Sequence, residues 1–220
     1  MRSSVRHGIH AATIAVSVLL LLVVGAALRP LLVDDPAPSG ISLSGTEIGF
    51  AQDMNQHHQQ ALFLVQRLDS GVDPVVRRLA AQIDSAQRIE IGTMLGWLQL
   101  AGAAPTSTEP MAWMTSDAGS HTGHHSTAAA DRAALMPGMA SWDELGTLAE
   151  ARGRAAEVLF LQLMIRHHQG GIAMAQAVDA LLVSGPVKET ARSMAQEQRQ
   201  EIGVMSMMLD SFGAVPLPVG

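Results

Sequence analysis

The pattern of apolar and polar positions is helical in the first half of the chain beyond its N-terminal region. Apolar residues recur at steps of three and four over residues 50–68, and Ser44 and Glu47 precede them with the spacing of a capping box. A second run covers residues 74–100 and opens with Pro74, because proline is favoured in the first turn of a helix. These signals predict a first helix and a long second one.

Two further helices are predicted in the second half. Ser141 and Glu144 repeat the capping-box spacing at the start of a helical stretch over residues 141–183, which bends or restarts near Gly153. The last helix covers residues 185–212 and opens with a glycine and a proline. The predicted total is four main helices.

An internal repeat relates these halves. FAQDMNQHHQQAL from Phe50 matches FLQLMIRHHQGGI from Phe160 at an offset of 110, and QRIEIGTML from Gln87 matches QRQEIGVMS from Gln198 at an offset of 111. Each half is therefore expected to be a helical hairpin. Two hairpins bury their apolar stripes most simply as a four-helix bundle with approximate internal two-fold symmetry, so the predicted fold class is all-α.

A membrane segment precedes the bundle. Residues 11–28 contain no charge over 18 positions, close to the length that a helix needs to cross about 30 Å of hydrocarbon. Two arginines precede this segment and Asp34 and Asp35 follow it, which places the N-terminus in the cytoplasm. A cleaved signal peptide is the alternative, because the small residues 25–27 could serve a signal peptidase. The prediction is a single-pass cell-membrane protein with an extracytoplasmic C-terminal domain, or a secreted protein if the segment is cleaved.

Composition sets the remaining boundaries. We expect residues 1–29 to form the cytoplasmic tip and transmembrane anchor, 30–43 a juxtamembrane linker, and 44–214 the helical bundle. Inside the bundle, residues 103–138 are rich in Ser, Thr, Ala, Gly and Pro, which predicts a flexible linker without a packed core. This linker is suited to capturing a soft or borderline metal, although low-complexity coincidence is an equal alternative. Its histidines and the nearby methionines are His121, His124, His125, Met111, Met114, Met136 and Met139.

Charge and cysteine usage exclude several classes of function. All 20 acidic residues but only 11 of the 14 basic residues lie after residue 33, which leaves the exported part at −9. Nucleic acid is therefore not an expected partner. The chain has no cysteine, which excludes disulfides and thiolate metal sites. No phosphate-binding loop and no set of nucleophile, base and orienting acid was found.

The helical stripes carry a candidate polar layer, because each half places a histidine and a glutamate at the same repeat position. If the stripes face one another, a buried layer forms from His57, His167, Glu90 and Glu201, with Met54, Met94, Met164 and Met205 above or beside it. His58 and His168 follow one residue later and point about 100° away, toward a helix boundary or the surface. These ten residues are the candidate metal ligands.

Two interpretations of the layer stay open. In the first interpretation the layer binds a metal ion, because buried charges are costly unless they are paired or metal-bound. Imidazole suits copper, zinc, iron and nickel, and thioether sulfur favours Cu(I). Alternatively, each histidine only bonds a glutamate across the bundle and sets its register, and the methionines fill the core. A di-iron site would need Glu-x-x-His on two helices, but Met54 and Met164 occupy the glutamate positions. Asp53 could add a carboxylate, yet its repeat counterpart is Leu163.

These residues resemble the bacterial family called domain of unknown function 305 (DUF305). The resemblance rests on the duplicated M-x-x-H-H-Q cores, the downstream Q-x-x-E-I-x-x-M segments and MPGM at residues 136–139, and it covers residues 44–213. Asn55 and Gln56 depart from the family pattern, whereas MIRHHQGGIAMA in the second core follows it. The resemblance implies a ferritin-like helical fold in an exported protein, and some relatives are linked to copper binding or tolerance.

The predicted function is therefore a membrane-anchored, extracytoplasmic protein that binds a metal ion, with copper as the ion that it sequesters or passes on. A non-enzymatic structural or interaction bundle is the alternative, and a metal-dependent oxidoreductase ranks last. The expected partners are the membrane, through the N-terminal helix, and the metal ion.

Overall fold

The computed structural model describes residues 42–115 and 136–218, together with Leu20, residues 22–24 and Leu28. The chain divides into two compact units, Met1–Gly40 and Ile41–Gly220. Within the described part, the regular structure is entirely helical and contains no β-strand. The all-α prediction is confirmed.

Five α-helices and one 3-10 turn are present in the described part of the second unit. In chain order they are α1 (Gly45–Arg67), α2 (Pro74–Leu100), the 3-10 turn (Ala112–Thr115), α3 (Trp142–Glu150), α4 (Gly153–Leu181) and α5 (Pro186–Ser211). The four long helices are the four that the sequence predicts. The predicted restart is the break between α3 and α4, where Gly153 has a φ of 53°, a left-handed conformation that favours glycine.

Both predicted capping boxes are present. The Ser44 hydroxyl accepts the N–H of Glu47 at 3.3 Å, and the Glu47 carboxylate accepts the N–H of Ser44 at 2.8 Å. Ser141 and Glu144 repeat this exchange at 3.2 and 2.8 Å. A serine cap stabilises a helix by about 1 kcal/mol, so local sequence alone fixes where α1 and α3 begin.

The predicted transmembrane helix stays a prediction. Among the described residues, none of the helices has the length and apolar character that crossing a membrane requires. The predicted segment, residues 11–28, lies outside the described residues apart from Leu20, residues 22–24 and Leu28.

The four long helices pack as two hairpins, and the first helix of one hairpin packs on the first helix of the other. In the described structure α1 packs on α2, α4 packs on α5, and α1 and α4 make the contact between the hairpins.

Two apolar clusters fill the interior. Cluster I includes Leu64, Ile83, Phe160, Leu161 and Leu209. Cluster II includes Phe50, Leu98, Met174, Val187 and Met194. Since the start of α1 shares cluster II with the end of α4, these two helices run antiparallel, and the histidines lie between the clusters.

Part of the predicted linker is packed, which corrects the expectation of a segment without a core. Trp113 is 4% exposed and its ring meets Phe50 edge-to-face at 5.6 Å. Asp53 on α1 accepts the indole N–H of Trp113 at 2.8 Å and the backbone N–H of Met111 at 2.7 Å. The composition of residues 103–138 could not predict this packing, because it depends on one buried residue, Trp113, and its one acceptor, Asp53. His121, His124 and His125 lie outside the described residues.

The short helix α3 is fastened to α4 by an ion pair. Arg166 donates from both terminal nitrogens to Glu144, at 2.8 and 2.7 Å, and this guanidinium lowers the pKa of the Glu144 carboxyl below its usual 4.5. A depressed folded-state pKa contributes stability that is present above the unfolded pKa and is lost as the pH falls through the folded value. The pair therefore stabilises the domain at neutral pH and not in acid.

We expect Glu144→Gln to lower the free energy of unfolding by about 1 kcal/mol at pH 7, since the pair is partly solvated. Below the depressed pKa of Glu144, the ion pair is lost in the parent chain as well. The difference in unfolding free energy between the two proteins should then shrink to the contribution of the contact between Glu144 and the Ser141 N–H. Urea unfolding at several pH values measures it. Asp84→Asn is the matched control, because Asp84 pairs with Arg88 at 2.7 Å on an exposed helix face. The prediction would be contradicted if Glu144→Gln cost no more stability than Asp84→Asn, or if its cost did not shrink in acid.

Candidate functional site

Each hairpin contains one histidine–glutamate pair. His168 Nε2 lies 2.6 Å from Glu201 Oε2, and His58 Nε2 lies 2.7 Å from Glu90 Oε2. Both histidine side chains are fully buried, whereas the glutamates reach the solvent with 15–22% of their side-chain surface. The His168 pair has the alignment of a hydrogen bond, but the His58 contact is close without that alignment. The carboxylates are the outer members of these pairs and the imidazoles the inner ones.

The other two histidines stack on one another at the contact between the hairpins. The ring centroids of His57 and His167 are 3.8 Å apart and their planes are inclined by 32°. His167 Nε2 lies 2.9 Å from the carbonyl oxygen of His57, and His57 Nε2 lies 3.1 Å from the carbonyl oxygen of Pro137. Neither imidazole contacts a carboxylate in the described structure. The stack therefore links α1 to α4 by way of backbone acceptors.

The sequence assigned the wrong histidine to the glutamates. The prediction joined His57 and His167 to Glu90 and Glu201, and placed His58 and His168 at a boundary or the surface. The structure reverses this arrangement. The reason is that α1 has neighbours on several sides, so two adjacent residues about 100° apart are both buried: His57 faces α4, and His58 faces α2.

The repeat is reproduced in the geometry of the four imidazoles. Within each adjacent pair, His57 with His58 and His167 with His168, the ring centroids are 6.2 Å apart and the planes are inclined by 54°. The backbone acceptors break the symmetry, because His167 uses a carbonyl of α1 and His57 uses the carbonyl of Pro137. The layer is therefore duplicated in its ring positions but not in its partners.

The Nδ1 atom of every imidazole in the layer is buried without a hydrogen-bond partner in the described structure. A carbonyl or carboxylate oxygen can only accept, so the Nε2 atoms that face Pro137, His57 and Glu201 carry hydrogen, and the corresponding Nδ1 atoms carry lone pairs. Among the described residues, the Nδ1 atoms of His57, His58, His167 and His168 have no hydrogen-bond partner. Buried polar atoms are paired in the great majority of cases, so four at one level of a bundle is unusual.

Burial keeps the stacked pair neutral. The pKa of His57 falls from its usual 6.5 to about 3; desolvation is the main cause, the neighbouring His58 adds to it, and the hydrogen bond to the Pro137 carbonyl opposes it. Desolvation and the adjacent imidazoles also place the pKa of His167 well below 6.5. Neutral imidazole is the form that binds metal ions, so protons do not compete for these nitrogens near neutral pH.

Two buried glutamines lie three residues before the paired glutamates on their helices. Gln87 and Gln198 hold equivalent repeat positions, are 2% and 3% exposed, and each has a side-chain oxygen without a partner in the described structure. Gly171 on α4 lies against the Gln198 amide so closely that a Cβ would overlap it. The glycine thus allows the amide to pack against α4. The helical stripes signalled both glutamines in the sequence, but not their role.

The four candidate methionines lie in the apolar clusters on either side of the layer. Met54 and Met94 belong to cluster II, and their repeat counterparts Met164 and Met205 belong to cluster I. All four are fully buried. The expectation that they lie above or beside the histidines agrees with this placement, which divides them into two pairs.

No ready-made carboxylate–histidine metal cage is present in the part of the chain that the structure describes: no three or more His, Asp or Glu side chains are grouped to hold an ion. Two imidazoles together with thioether sulfur would be a different kind of donor set from a cage of three or more His, Asp or Glu side chains. The unpartnered Nδ1 atoms and the flanking methionines supply donors of that kind. Imidazole and thioether donors suit a soft or borderline ion, whereas a di-iron centre needs more carboxylates than the layer contains.

Sequence reasoning missed the backbone contribution to the layer. Pro137 presents its carbonyl to His57 from a turn formed by residues 136–140, which follows the segment that the structure does not describe. The MPGM sequence at residues 136–139 contains this proline, but the sequence connects it only to the family resemblance. A backbone carbonyl has no side-chain signature, so its target could not be predicted.

Comparison with known proteins places the chain in a family. The sequence profile of "Domain of unknown function (DUF305)" matches residues 47–209. No curated protein matches the sequence.

Three solved structures have a similar fold. A DUF305 protein from Streptomyces coelicolor, described as a candidate secreted protein, is 36% identical over 79% of this chain and 96% of its own, with a TM-score of 0.67. A DUF305 fragment from Deinococcus radiodurans is 32% identical over 77% of this chain and 99% of its own, with a TM-score of 0.62. CopM in its Cu(II)-bound form is 24% identical over 76% of this chain and 97% of its own, with a TM-score of 0.53, which shows the fold alone. The family profile covers most of the chain, and two of these structures are 36% and 32% identical to it over more than three quarters of its length, so this protein belongs to the DUF305 family.

Proposed function

We propose that this chain is an exported protein that binds a transition-metal ion, with copper as the preferred ion, at the histidine layer between the two hairpins. One observation carries the proposal: four buried imidazoles at one level of the bundle each have an Nδ1 atom without a hydrogen-bond partner in the described structure. Leaving such atoms unpaired costs free energy, and a metal ion would recover it.

The Nε2 partners support ligation through Nδ1. Metal-bound histidines commonly donate their other ring N–H to a carboxylate or a backbone carbonyl, which fixes the tautomer and orients the ring. Here Glu201 faces His168, Glu90 faces His58, and backbone carbonyls face the stacked pair. The acceptors that a metal site needs in its outer shell are thus already present.

The methionines favour copper among the ions that imidazole binds. Thioether sulfur is a soft ligand that suits Cu(I). Two fully buried methionines lie in the cluster on each side of the layer, Met54 with Met94 and Met164 with Met205. The Cu(II)-bound form of CopM, a protein with the same fold, agrees with a copper ligand here.

Export of the domain rests on the N-terminal sequence and on a relative. The uncharged residues 11–28 are typical of a membrane anchor or a secretory signal, and the Streptomyces coelicolor protein is described as a candidate secreted protein. The chain would bind its ion outside the cytoplasm and sequester it or pass it on.

A metal titration of the purified full-length chain tests this proposal. Cu(I), Cu(II) and Zn(II) are added to the parent chain and to the double variant His57→Gln/His167→Gln, with circular dichroism as the check on folding. We expect tight stoichiometric copper binding in the parent chain and its loss in the variant. The matched control replaces His121, His124 and His125, which lie outside the described residues, and should keep the tight site. Unchanged binding in the core variant would contradict the proposal.

A register-setting bundle is the second candidate, favoured by a specific observation. Three of the four layer imidazoles already contact a residue of another helix, His58 with Glu90, His168 with Glu201 and His167 with the His57 carbonyl, so the layer can align the helices without any ion. In this case the parent chain binds no ion tightly, and replacement of either glutamate still destabilises it. The same titration separates the two functions.

A further inference from the structure

The turn formed by residues 136–140 is held from two sides by α1 and α4. On the α1 side, the Gln60 amide donates to the Ala140 carbonyl at 2.8 Å and accepts the Ala140 N–H at 2.6 Å. On the α4 side, Gly170 lies against the Pro137 carbonyl so closely that a Cβ at position 170 would overlap it. These contacts fix both ends of the turn.

The second glycine of this contact lies in the turn itself. Gly138 has a φ of 79°, in the left-handed region, and a Cβ there would overlap the backbone carbonyl of Arg166. Both the backbone conformation and the close approach require glycine. The turn can therefore reach α4 only with a glycine on each side of the contact.

Repeat-equivalent positions hold the turn by different means. Positions 60 and 170 correspond at the offset of 110, but one is a glutamine whose side chain clasps the turn and the other is a glycine that lets the turn approach. A single turn cannot obey the two-fold symmetry of the bundle. Its placement therefore makes the two halves of the histidine layer different.

This placement determines the chemistry of one imidazole. The fixed Pro137 carbonyl lies 3.1 Å from His57 Nε2 and can only accept, so Nε2 carries the hydrogen and Nδ1 the lone pair. The equivalent His167 obtains its acceptor from the α1 backbone at 2.9 Å and does not depend on the turn. A change in the turn should therefore alter His57 first.

We propose that the turn of residues 136–140 is a positioning element that holds His57 in the Nε2–H tautomer, oriented with its Nδ1 lone pair free, while His167 is positioned independently of it. This tautomer prepares His57 to bind an ion through Nδ1. That part of the inference rests on the proposed function. Gln60, Gly138 and Gly170 are then positioning residues, although none of them has a ligand atom in the layer.

The variants can perturb the turn without unfolding the helices. Its outer face lines a cavity of about 430 Å³ that Met139, Ala140 and Trp142 border, so a displaced turn has space to move into. Gly170→Ala pushes the Pro137 carbonyl away, and Gln60→Leu removes the clasp on Ala140 from the other helix. Gly203→Ala on α5 is the matched control, because a Cβ there meets no atom within 4 Å.

The test is ¹⁵N NMR of the histidine rings in the metal-free full-length chain. We expect the His57 Nδ1 signal of the parent chain at the position of an unprotonated nitrogen, and a shift toward averaged tautomers in Gly170→Ala and Gln60→Leu. The His167 signal and the control variant should be unchanged. An Nδ1–H tautomer for His57 in the parent chain, or a His57 signal that neither folded variant alters, would overturn the inference.

Copper titration of the same variants separates this inference from the proposed function. If both hold, Gly170→Ala and Gln60→Leu should bind copper about tenfold more weakly than the parent chain, the usual loss when an outer-shell partner is removed. The Gly203→Ala control should bind normally. A parent chain with the expected tautomer and no copper binding would overturn the proposed function and support the positioning of His57.

Discussion

Asp53→Ala is expected to lower the free energy of unfolding by about 3 kcal/mol at pH 7. The fully buried carboxylate accepts hydrogen bonds from the indole of Trp113 and the backbone N–H of Met111. Loss of a buried acceptor costs about 1–3 kcal/mol for each donor, and the relief of removing a buried carboxylate offsets part of the sum. Urea unfolding followed by circular dichroism measures the change.

The matched variant Asp53→Asn keeps an oxygen for both donors and should cost at most about 1 kcal/mol. Its difference from the parent chain should depend on pH. Burial raises the pKa of Asp53 above its usual 3.8, although the N–H groups of Met111 and Trp113 act against this. The folded state thus binds the proton more tightly than the unfolded chain, so the parent chain should gain stability relative to Asp53→Asn as the pH falls through the raised pKa.

A local signal should accompany the loss of stability. Because Trp113 packs edge-to-face on Phe50, its release in Asp53→Ala should expose the indole, and fluorescence quenching by iodide should increase. Asp84→Ala is the control, since that carboxylate lies in an exposed pair with Arg88 and should change the unfolding free energy by less than about 0.5 kcal/mol. Equal effects at positions 53 and 84 would show that Asp53 does not anchor the segment.

Glu201→Ala should lower the free energy of unfolding by about 2 kcal/mol. The carboxylate lies 2.6 Å from Nε2 of the fully buried His168, and removing it leaves an imidazole whose Nδ1 is already without a partner in the described structure. Hydrogen bonds to charged groups contribute about 1.5–3 kcal/mol, and the partial exposure of Glu201 argues for the middle of that range. Thermal and urea unfolding of the metal-free protein measure the loss.

Two further variants give this result its meaning. Glu197→Ala is the control on the same helix, because Glu197 is exposed and only accepts a hydrogen bond from Ser193 at 2.8 Å. The double variant His168→Leu/Glu201→Leu removes both partners and should recover most of the stability, as replacement of a buried polar pair by apolar residues often does. If Glu201→Ala is as harmless as the control, the pair does not hold the layer together.

The two glutamate pairs also allow the halves to be compared. The His58–Glu90 contact, at 2.7 Å, is nearly as short as the 2.6 Å His168–Glu201 contact but less well aligned, so Glu90→Ala should cost less stability than Glu201→Ala. A larger loss at Glu90 would mean that the closeness of the contact, and not its direction, carries the energy.

Much of the scaffold was predictable from sequence because its signals are local. Ser44 with Glu47 and Ser141 with Glu144 mark the starts of α1 and α3 through contacts within four residues. The repeat predicted two hairpins, since matching sequences with matching apolar spacing bury matching faces. The ferritin-like character and the transmembrane helix remain predictions.

The composition of the candidate site was also determined by sequence. The helical stripes predicted a buried polar layer of His57, His167, Glu90 and Glu201 with methionines beside it. The structure adds His58 and His168, which were expected at a helix boundary or the surface, to that layer. Whether the layer holds a metal ion was not determined by the pattern, because the same residues can set register.

Only the tertiary structure decided which neighbours each side chain meets. The helical period fixes the angle between His57 and His58, but the packing of α1 between α2 and α4 decides that the second histidine meets the glutamate. The docking of Trp113 on Asp53 and of the Pro137 carbonyl on His57 joins positions 60 and 80 residues apart. Such contacts leave no periodic trace in the sequence, because their partners are single side chains and backbone atoms that only the folded chain brings together.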